Sequence, residues 1–500
     1  MLFDLNSFKK NIVCESNVND AVVETVVNGN ELEVYLTAVN DRVKFIEFEW
    51  NFESSNDIYV LGDSWERSYA DLEFKKLVDN DRTMPWYFIA TDKKTSFCFG
   101  VKTQPNSFVR FNYTKDGIKA LVDCRNGSCG VHLDGRKLCL ATFVYKEYDS
   151  ADIFECLHDY CKTLCPNPIL PKEIIYGGNN WYYAYGESCY DDIVRDAKVQ
   201  AELAKGIENK PFEVVDDCWQ VNSCEGPWIA NEKFADMKKL ADDIRSAGAR
   251  PGVWVRFLHN RDSSITDEMK TCKDGKVKYL DPTHPFVKSL IKSDIERIKG
   301  WGYELIKHDF TTFDLFGGWG RELDTSIEKS GEWYFYDRSK TNAEIVLDLY
   351  RLIKETAGDI YIIGCNTISH LCAGLVEINR IGNDTSGREW SPTKLNGVNT
   401  LAFRLAQNEA FYMCDADCVG ILEDKIPWEK NKQWLHLLSY SNTPLFVSCS
   451  DKLTDEQKRD LSEAYNVFHK RHSIRPVDIY ENIVPSQWEI DGKTVTYDWE

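Results

Sequence analysis

Two patterns of apolar and polar positions divide the chain. Up to about residue 165 apolar residues alternate with polar ones in short runs. Examples are Glu31-Leu32-Glu33-Val34-Tyr35-Leu36, Val43-Lys44-Phe45-Ile46-Glu47-Phe48, Trp86-Tyr87-Phe88-Ile89-Ala90, Phe97-Cys98-Phe99-Gly100-Val101 and Ser107-Phe108-Val109-Arg110-Phe111. Turn residues at Asn28-Gly29-Asn30, Asp116-Gly117 and Asp134-Gly135 separate such runs. Residues two apart on a strand share a face, so the pattern predicts half-buried strands and an antiparallel β-sandwich over 1–165. The stretch from Cys165-Pro166-Asn167-Pro168 to Pro171 breaks it and predicts a domain boundary.

Beyond Pro171 strand-like and helix-like runs alternate. Strands are predicted at 173–178, 212–217, 250–256, 303–308, 359–365, 375–381, 410–414 and 443–449. Helical spacing links Phe234, Met237, Leu240, Ala241 and Ile244, then Val287, Leu290, Ile291 and Ile298, and later Ile345, Leu349, Leu352 and Ile353. Only a short helix or loop fits between the fifth and sixth strands. The expectation is a (β/α)8 TIM barrel over 172–472. An open doubly wound sheet is the alternative, but no Gly-rich phosphate loop follows the first strand. Residues 473–500, with strand-like runs around Asp491-Gly492, predict a short β tail rather than a domain.

The chain has 500 residues, 43% of them hydrophobic, which suffices for more than one core. Its formal net charge of −20 argues against nucleic acid and against an anionic membrane as partner. The start, Met1-Leu2-Phe3-Asp4, lacks a basic region followed by an apolar core, and no run of 18 apolar residues occurs. Seventeen cysteines are scattered through apolar strands, as at Cys98 and Cys449, and read as reduced thiols of a cytoplasmic protein. The sequons at Asn112, Asn126 and Asn383 then carry no meaning. Cys161/Cys165 and Cys414/Cys418 each lack a second pair at zinc-ligand spacing, so no metal is expected.

The candidate chemistry lies where the barrel strands should end. The fourth strand runs into Lys307-His308-Asp309 and the sixth into Arg380 and, four residues on, Asp384. Lys307 and Asp309 should share a face, as should Arg380 and Asp384 if that strand stays extended, and a carboxylate beside a cation stays ionised. Two carboxylates at the ends of different strands of one barrel are what glycoside cleavage needs. Further polar or aromatic residues follow the other strands: Asn179 to Tyr183, Asp216 to Trp219, Trp254, Arg256 and His259, Cys365 and Asn366, Asp415 and Asp417, and Ser448 to Asp451. Each has a plainer reading. Asp309 could pair structurally with Lys307, Asp314 is a rival nucleophile, and Asp384 could cap a helix beside Thr385. A large aromatic could simply be buried, and Arg256 could bridge to an aspartate. His259, His308 and His370 read as structural.

At these residues the chain resembles glycoside hydrolase family 36, the α-galactosidase-like enzymes, in a clan shared with families 27 and 31. The resemblance covers about 173–450 and extends to Leu61-Gly62-Asp63-Ser64-Trp65-Glu66-Arg67 in the sandwich. It implies that Asp309 is the nucleophile and Asp384 the acid/base of a retaining double displacement. It implies that Asp216 and Asp217 bind the 4- and 6-hydroxyls of an axial-4-OH sugar, and that Trp181 and Trp219 pack on it. Trp254, Lys307, Cys365, Asn366 and Arg380 are further expected substrate contacts, and Arg256, where the chain departs from the family, is another. Retention calls for carboxyl groups about 5–5.5 Å apart or slightly more, and an acid needs surroundings more apolar or more negative than the nucleophile's. The partner implied is an oligosaccharide or glycoside, without cofactor, and homo-oligomers are common in the family.

The chain departs from the family in three places. After the fifth strand, Gly364-Cys365-Asn366-Thr367-Ile368-Ser369-His370 replaces a Cys-Ser-Gly-Gly-type loop that reads the group at C2. A carboxylate common after the third strand is absent around Trp254-Val255-Arg256, where Arg256 could meet an acidic substituent. The C-terminal sandwich is nearly missing. These departures leave room for a substrate other than a plain α-galactoside, but on the shared motifs a retaining exo-α-galactosidase is the leading reading. Others are an α-N-acetylgalactosaminidase, a raffinose-synthase-like transglycosylase, a non-hydrolytic carbohydrate-binding barrel, and a barrel enzyme using metal at Asp216, Asp217 and Asp309.

Overall fold

The structure, a computed structural model, describes residues 3–16, 18–273 and 275–500. The N-terminal part is an antiparallel β-sandwich. One sheet runs Lys9–Cys14, Arg42–Asn51, Gly117–Asp123, Phe108–Thr114, Met84–Pro85, with Val131–His132 also paired to Arg42–Asn51. The other runs Val22–Asn28, Glu31–Thr37, Leu138–Tyr148, Ser96–Val101, Tyr87–Thr91, Tyr59–Gly62, Lys75–Lys76. Alternation sets the faces: Leu32, Val34 and Leu36 are buried while their neighbours are partly exposed. Aromatic rings fill the space between the sheets. Trp50 meets Phe99 at 5.1 Å and Phe143 at 5.7 Å, both edge-on, the geometry their quadrupoles favour.

The second part is a parallel barrel. Its strands are β1 (Tyr176–Asn179), β2 (Phe212–Val215), β3 (Arg250–Val255), β4 (Leu305–His308), β5 (Tyr361–Gly364), β6 (Ile378–Arg380), β7 (Met413–Asp415), β8 (Cys418–Gly420) and β9 (Leu445–Ser448). Hydrogen bonding runs in order from β7 back through β6 to β1, then to β9 and β8. β7 and β8 are two halves of the expected seventh strand, broken by Ala416 and by Asp417, whose φ is +73°. The first half pairs with β6 and the second with β9, so this kinked strand closes the circle. The connection from β5 to β6 is the short one expected, with only the four-residue helix Ser369–Cys372. Ile175, Phe212, Val214, Leu305, Ile363, Ile378 and Phe446 form a separate cluster that fills the barrel. The barrel is therefore a packed core with a floor, and its C-terminal mouth is the place for a site.

The strands Ile474–Pro476, Gln487–Ile490 and Lys493–Thr496 form the short C-terminal sheet. It touches both larger units. Gln433 Nε2 of the barrel donates to Asp498 O at 2.9 Å, and Tyr480 packs on Tyr59 and Phe74 of the sandwich at 5.1 and 4.9 Å. Among the described residues no helix is long and apolar enough to cross a membrane. All 17 cysteines are free thiols.

Sandwich and barrel meet through residues 63–72. Arg404 Nε donates to Asp63 Oδ1 at 2.8 Å with both side chains essentially inaccessible, and Gln407 Nε2 donates to Asp63 Oδ2 at 3.0 Å. Ser68 N–H donates to Ile381 O and Asn383 N–H to Ser68 O, each at 2.9 Å, so this loop adds a short backbone ladder to the segment after β6. Between them Gly382 packs tightly on the barrel itself, where a Cβ would lie 2.6 Å from Thr400 Oγ1. Removing one partner of a buried ion pair strands the other charge without water. Asp63→Ala is expected to destabilise the chain by about 3–5 kcal/mol, seen as a clear drop in thermal midpoint. An unchanged midpoint would contradict this role for the pair.

Candidate active site

The mouth of the barrel holds a cavity of about 160 Å³ lined by Arg67, Trp181, Tyr182, Asp216, Asp217, Cys224, Trp254, Lys307, Asp309, Phe310, Cys365, Arg380 and Asp384. It has room for about five water molecules, the scale of one sugar ring and not of a chain threaded through. Four carboxylates and three cations face it, a near balance that suits an uncharged polyhydroxyl ligand better than an ionic one.

Asp309 follows β4 directly, and its N–H continues the pairing to Val255 O at 3.0 Å. Phe310 then takes a left-handed backbone, φ +61°, which turns the chain out of the strand. The Asp309 carboxylate accepts Phe310 N–H at 2.7 Å on Oδ1 and Trp254 Nε1–H at 3.2 Å on Oδ2. The expected Lys307 partner lies elsewhere: its Nζ donates to Asp216 Oδ2 at 2.7 Å. Burial opposes the Lys307 charge, but Asp216 beside it holds the ammonium well above the ordinary lysine value.

Asp216 and Asp217 both reach the cavity, because β2 ends at Val215 and Cys218 takes φ +77°. Asp216 Oδ2 also accepts Asn179 Nδ2 at 2.7 Å, and Oδ1 accepts Asp217 N–H at 2.9 Å, leaving lone-pair capacity on Oδ1. Asp217 is more fully used. It accepts Cys218 N–H at 2.7 Å, Gln220 Nε2 at 2.6 Å and Cys224 N–H at 2.9 Å, so it also shapes the 218–224 turn.

β6 ends at Arg380, so the strand does not stay extended to Asp384, as the shared face would require. Asp384 is placed instead by the loop that Ser68 pins. Arg380 donates to Asp384 Oδ1 at 3.1 Å, and Arg67 of the sandwich reaches the same oxygen at 3.5 Å. Arg380 also pairs with Asp417 at 2.5 Å, and Tyr182 OH donates to Asp417 Oδ2 at 2.6 Å. Burial pushes the Asp384 carboxyl up, but Arg67, Arg380 and Lys307 outweigh it and hold it below the ordinary carboxylate range. The surroundings expected of an acid, apolar or negative, are not what these three cations supply. The side chain is 48% exposed, so water screens part of the effect.

Three expected residues stand away from the cavity. Trp219 is fully buried outside the barrel, with Nε1 donating to Trp254 O at 2.8 Å and its ring edge-on to Trp301 at 5.9 Å. Arg256 is spent on Asp314 through two bonds of 2.9 and 2.6 Å, which also removes Asp314 as a rival nucleophile. Its guanidinium lies 4.0 Å above the Phe310 ring and so braces the cavity wall from behind. Asn366 is buried, donating through Nδ2 to Glu66 and accepting Phe313 N–H at 3.3 Å, and so anchors the sandwich loop. His308 and His370 are buried, and Asp417 pairs with Arg380.

Arg67, Tyr182, Cys224 and Phe310 line the cavity without having been singled out as substrate contacts. Tyr182 and Phe310 adjoin residues that were. Arg67 ends the family-like segment of the sandwich, but only the fold shows that it crosses to the barrel. Nothing in the sequence marks Cys224.

No family model matches the chain, and no curated protein matches it. Solved structures do. TtGalA, an α-galactosidase from Thermus thermophilus in complex with p-nitrophenyl α-D-galactopyranoside, superposes with TM-score 0.62 over 95% of this chain and 99% of that one, at 14% identity. The fold is that of solved α-galactosidases. A variant of the family 36 α-galactosidase AgaA from Geobacillus stearothermophilus, bound to 1-deoxygalactonojirimycin, gives TM-score 0.58 over 92% of this chain and 69% of that one, at 13% identity. The galactosidase domain of the α-galactosidase-sucrose kinase AgaSK gives 0.58 over 95% and 74%, also at 13%.

Removing a cation beside a depressed carboxylate lets its pKa rise. In Arg67→Leu the Asp384 carboxyl is expected to titrate at higher pH than in the unaltered chain, followed by carbon-13 NMR of labelled aspartate. A midpoint that stays or falls would contradict the charge balance described.

Proposed function

We propose that the chain is a retaining exo-α-glycosidase that hydrolyses terminal α-galactosides. The observation that carries this is the meeting of Asp309 and Asp384, from the ends of β4 and the loop after β6, in one small floored cavity. A pocket with a floor accepts the end of a glycan, which favours exo action.

In this reading Asp309 attacks the anomeric carbon while Asp384 delivers a proton to the leaving oxygen. Water, deprotonated by Asp384, then releases the sugar from Asp309. The Trp254 indole N–H and the Phe310 N–H aim the nucleophile. Arg67, Arg380 and Lys307 favour the carboxylate form of Asp384, the form the second step uses. The first step draws on its protonated fraction, so acidic pH should favour that step. Asp216, with a free lone pair and Lys307 beside it, offers an acceptor and a donor to adjacent hydroxyls. The solved neighbours include complexes with stachyose and raffinose, which supports a galactosyl oligosaccharide as the substrate class.

The test is a panel of aryl α-galactoside, α-N-acetylgalactosaminide, α-glucoside and β-arabinopyranoside. The α-galactoside is expected to turn over, with or without a chelator. Asp309→Ala should abolish turnover, and Asp384→Ala should lower kcat/KM on a substrate with a poor leaving group by about 10²–10⁴-fold. Turnover of the N-acetylated sugar alone would assign the activity to that substrate instead. Sugar binding without turnover of any member would overturn the hydrolase reading.

A further inference from the structure

A second, smaller chamber lies inside the barrel, beneath the cavity at its mouth. Its volume is about 10 Å³, the space of one water molecule. Val214, Ile363 and Phe446 of the barrel core form its apolar side. Lys307, Arg380, Asp415 and Asp417 form its polar side. Lys307 and Arg380 also line the cavity above, so the two spaces share a wall of cations. The kink of the seventh strand borders the chamber: β7 ends at Asp415 and β8 begins at Cys418, and both residues line it.

The hydrogen bonds around the chamber leave a donor and an acceptor over. Asp415 is 4% exposed, and its Oδ1 accepts Asp417 N–H at 2.9 Å. Among the described residues no donor takes Asp415 Oδ2. Arg380 is buried, and its Nε–H has no partner. Its Nη2 is shared among Tyr182 OH at 3.3 Å, Asp384 at 3.1 Å and Asp417 at 2.5 Å. Lys307 commits one ammonium hydrogen to Asp216 and keeps others. A buried polar group without a partner forfeits its hydration with nothing in return. A buried water needs several polar partners, and this chamber offers them.

We infer that one water molecule occupies the chamber, accepts from Arg380 Nε and donates to Asp415 Oδ2, and that Asp415 is through it a positioning residue for Arg380. The role in the reaction rests on Asp384 being the acid/base. A guanidinium is planar, so fixing Nε fixes the direction in which Nη2 meets Asp384. Asp415 also acts by its charge. Arg67, Arg380 and Lys307 face Asp384, with the Tyr182 hydroxyl beside it. Asp415 faces Arg380 and Lys307 from the other side, with Asp417 and Cys418 as neighbours. It offsets part of the positive charge that these cations direct at Asp384.

The first measurement is a crystal structure of the full chain at a resolution that shows ordered water. One water is expected within hydrogen-bond distance of both Asp415 Oδ2 and Arg380 Nε. A chamber without ordered water, or with one that touches neither group, would overturn the inference, whether or not any variant folds. Asp415→Asn keeps the shape of the side chain and removes its charge. In that variant the Asp384 carboxyl, followed by carbon-13 NMR of labelled aspartate, is expected to titrate at lower pH than in the unaltered chain. On an aryl α-galactoside the limb on which kcat/KM falls as pH rises should move to lower pH with it, a loss of about tenfold above that limb for each unit moved. An Asp384 midpoint that stays or rises would overturn the positioning role. A midpoint that falls while the limb stays, or no turnover by the unaltered chain, would overturn the acid/base assignment and the role in the reaction with it.

Discussion

The site depends on the sandwich being locked to the barrel. A (β/α)8 barrel can present β4 and Asp309 by itself, because the strand and its neighbours fix that carboxylate. It cannot fix Asp384 in the same way, since β6 ends four residues earlier. The missing constraint comes from residues 63–72. Asp63 holds Arg404 in a fully buried ion pair, Ser68 exchanges backbone hydrogen bonds with Ile381 and Asn383, and Arg67 extends to the Asp384 carboxylate. One acidic group of the candidate pair is thus set by the barrel and the other by the junction of two units.

The same junction sets the electrostatics. Asp384 lies between Arg380 of the barrel and Arg67 of the sandwich, whereas Asp309 is aimed by the neutral donors of Trp254 and Phe310. Lys307 and Arg380 are each tied to a second carboxylate, Asp216 and Asp417, so neither charge is free to neutralise Asp309 directly. Buried ions are tolerated here because each has a close opposite charge and further hydrogen bonds.

Much of this was legible in the sequence. Alternating runs point to the sandwich, strand-helix alternation points to the barrel, and the polar and aromatic residues that follow the strand ends include most of the cavity lining. The residues that stand away from the cavity share a cause. Trp219, Arg256 and Asn366 lie within a few residues of strand ends, but sequence distance does not say which way a side chain turns after the strand stops. The positive φ at Cys218 brings Asp217 to the cavity, while Trp219 beyond it packs against Trp301 outside the barrel. Arg256 is spent on Asp314, 58 residues away, and Arg67 meets Asp384 across 317 residues. Contacts of that range come from packing, which no local pattern encodes.

The central claim is that Asp309 forms a covalent bond to the sugar. The most direct measurement is mass spectrometry of the chain after reaction with 5-fluoro-α-galactosyl fluoride, which slows release of a galactosyl-enzyme more than its formation. The account predicts one added fluorogalactosyl unit per chain, carried by the peptide containing Asp309 and absent in Asp309→Ala. An adduct on another residue, or turnover of galactosides with no adduct and with inversion at the anomeric carbon, would contradict it.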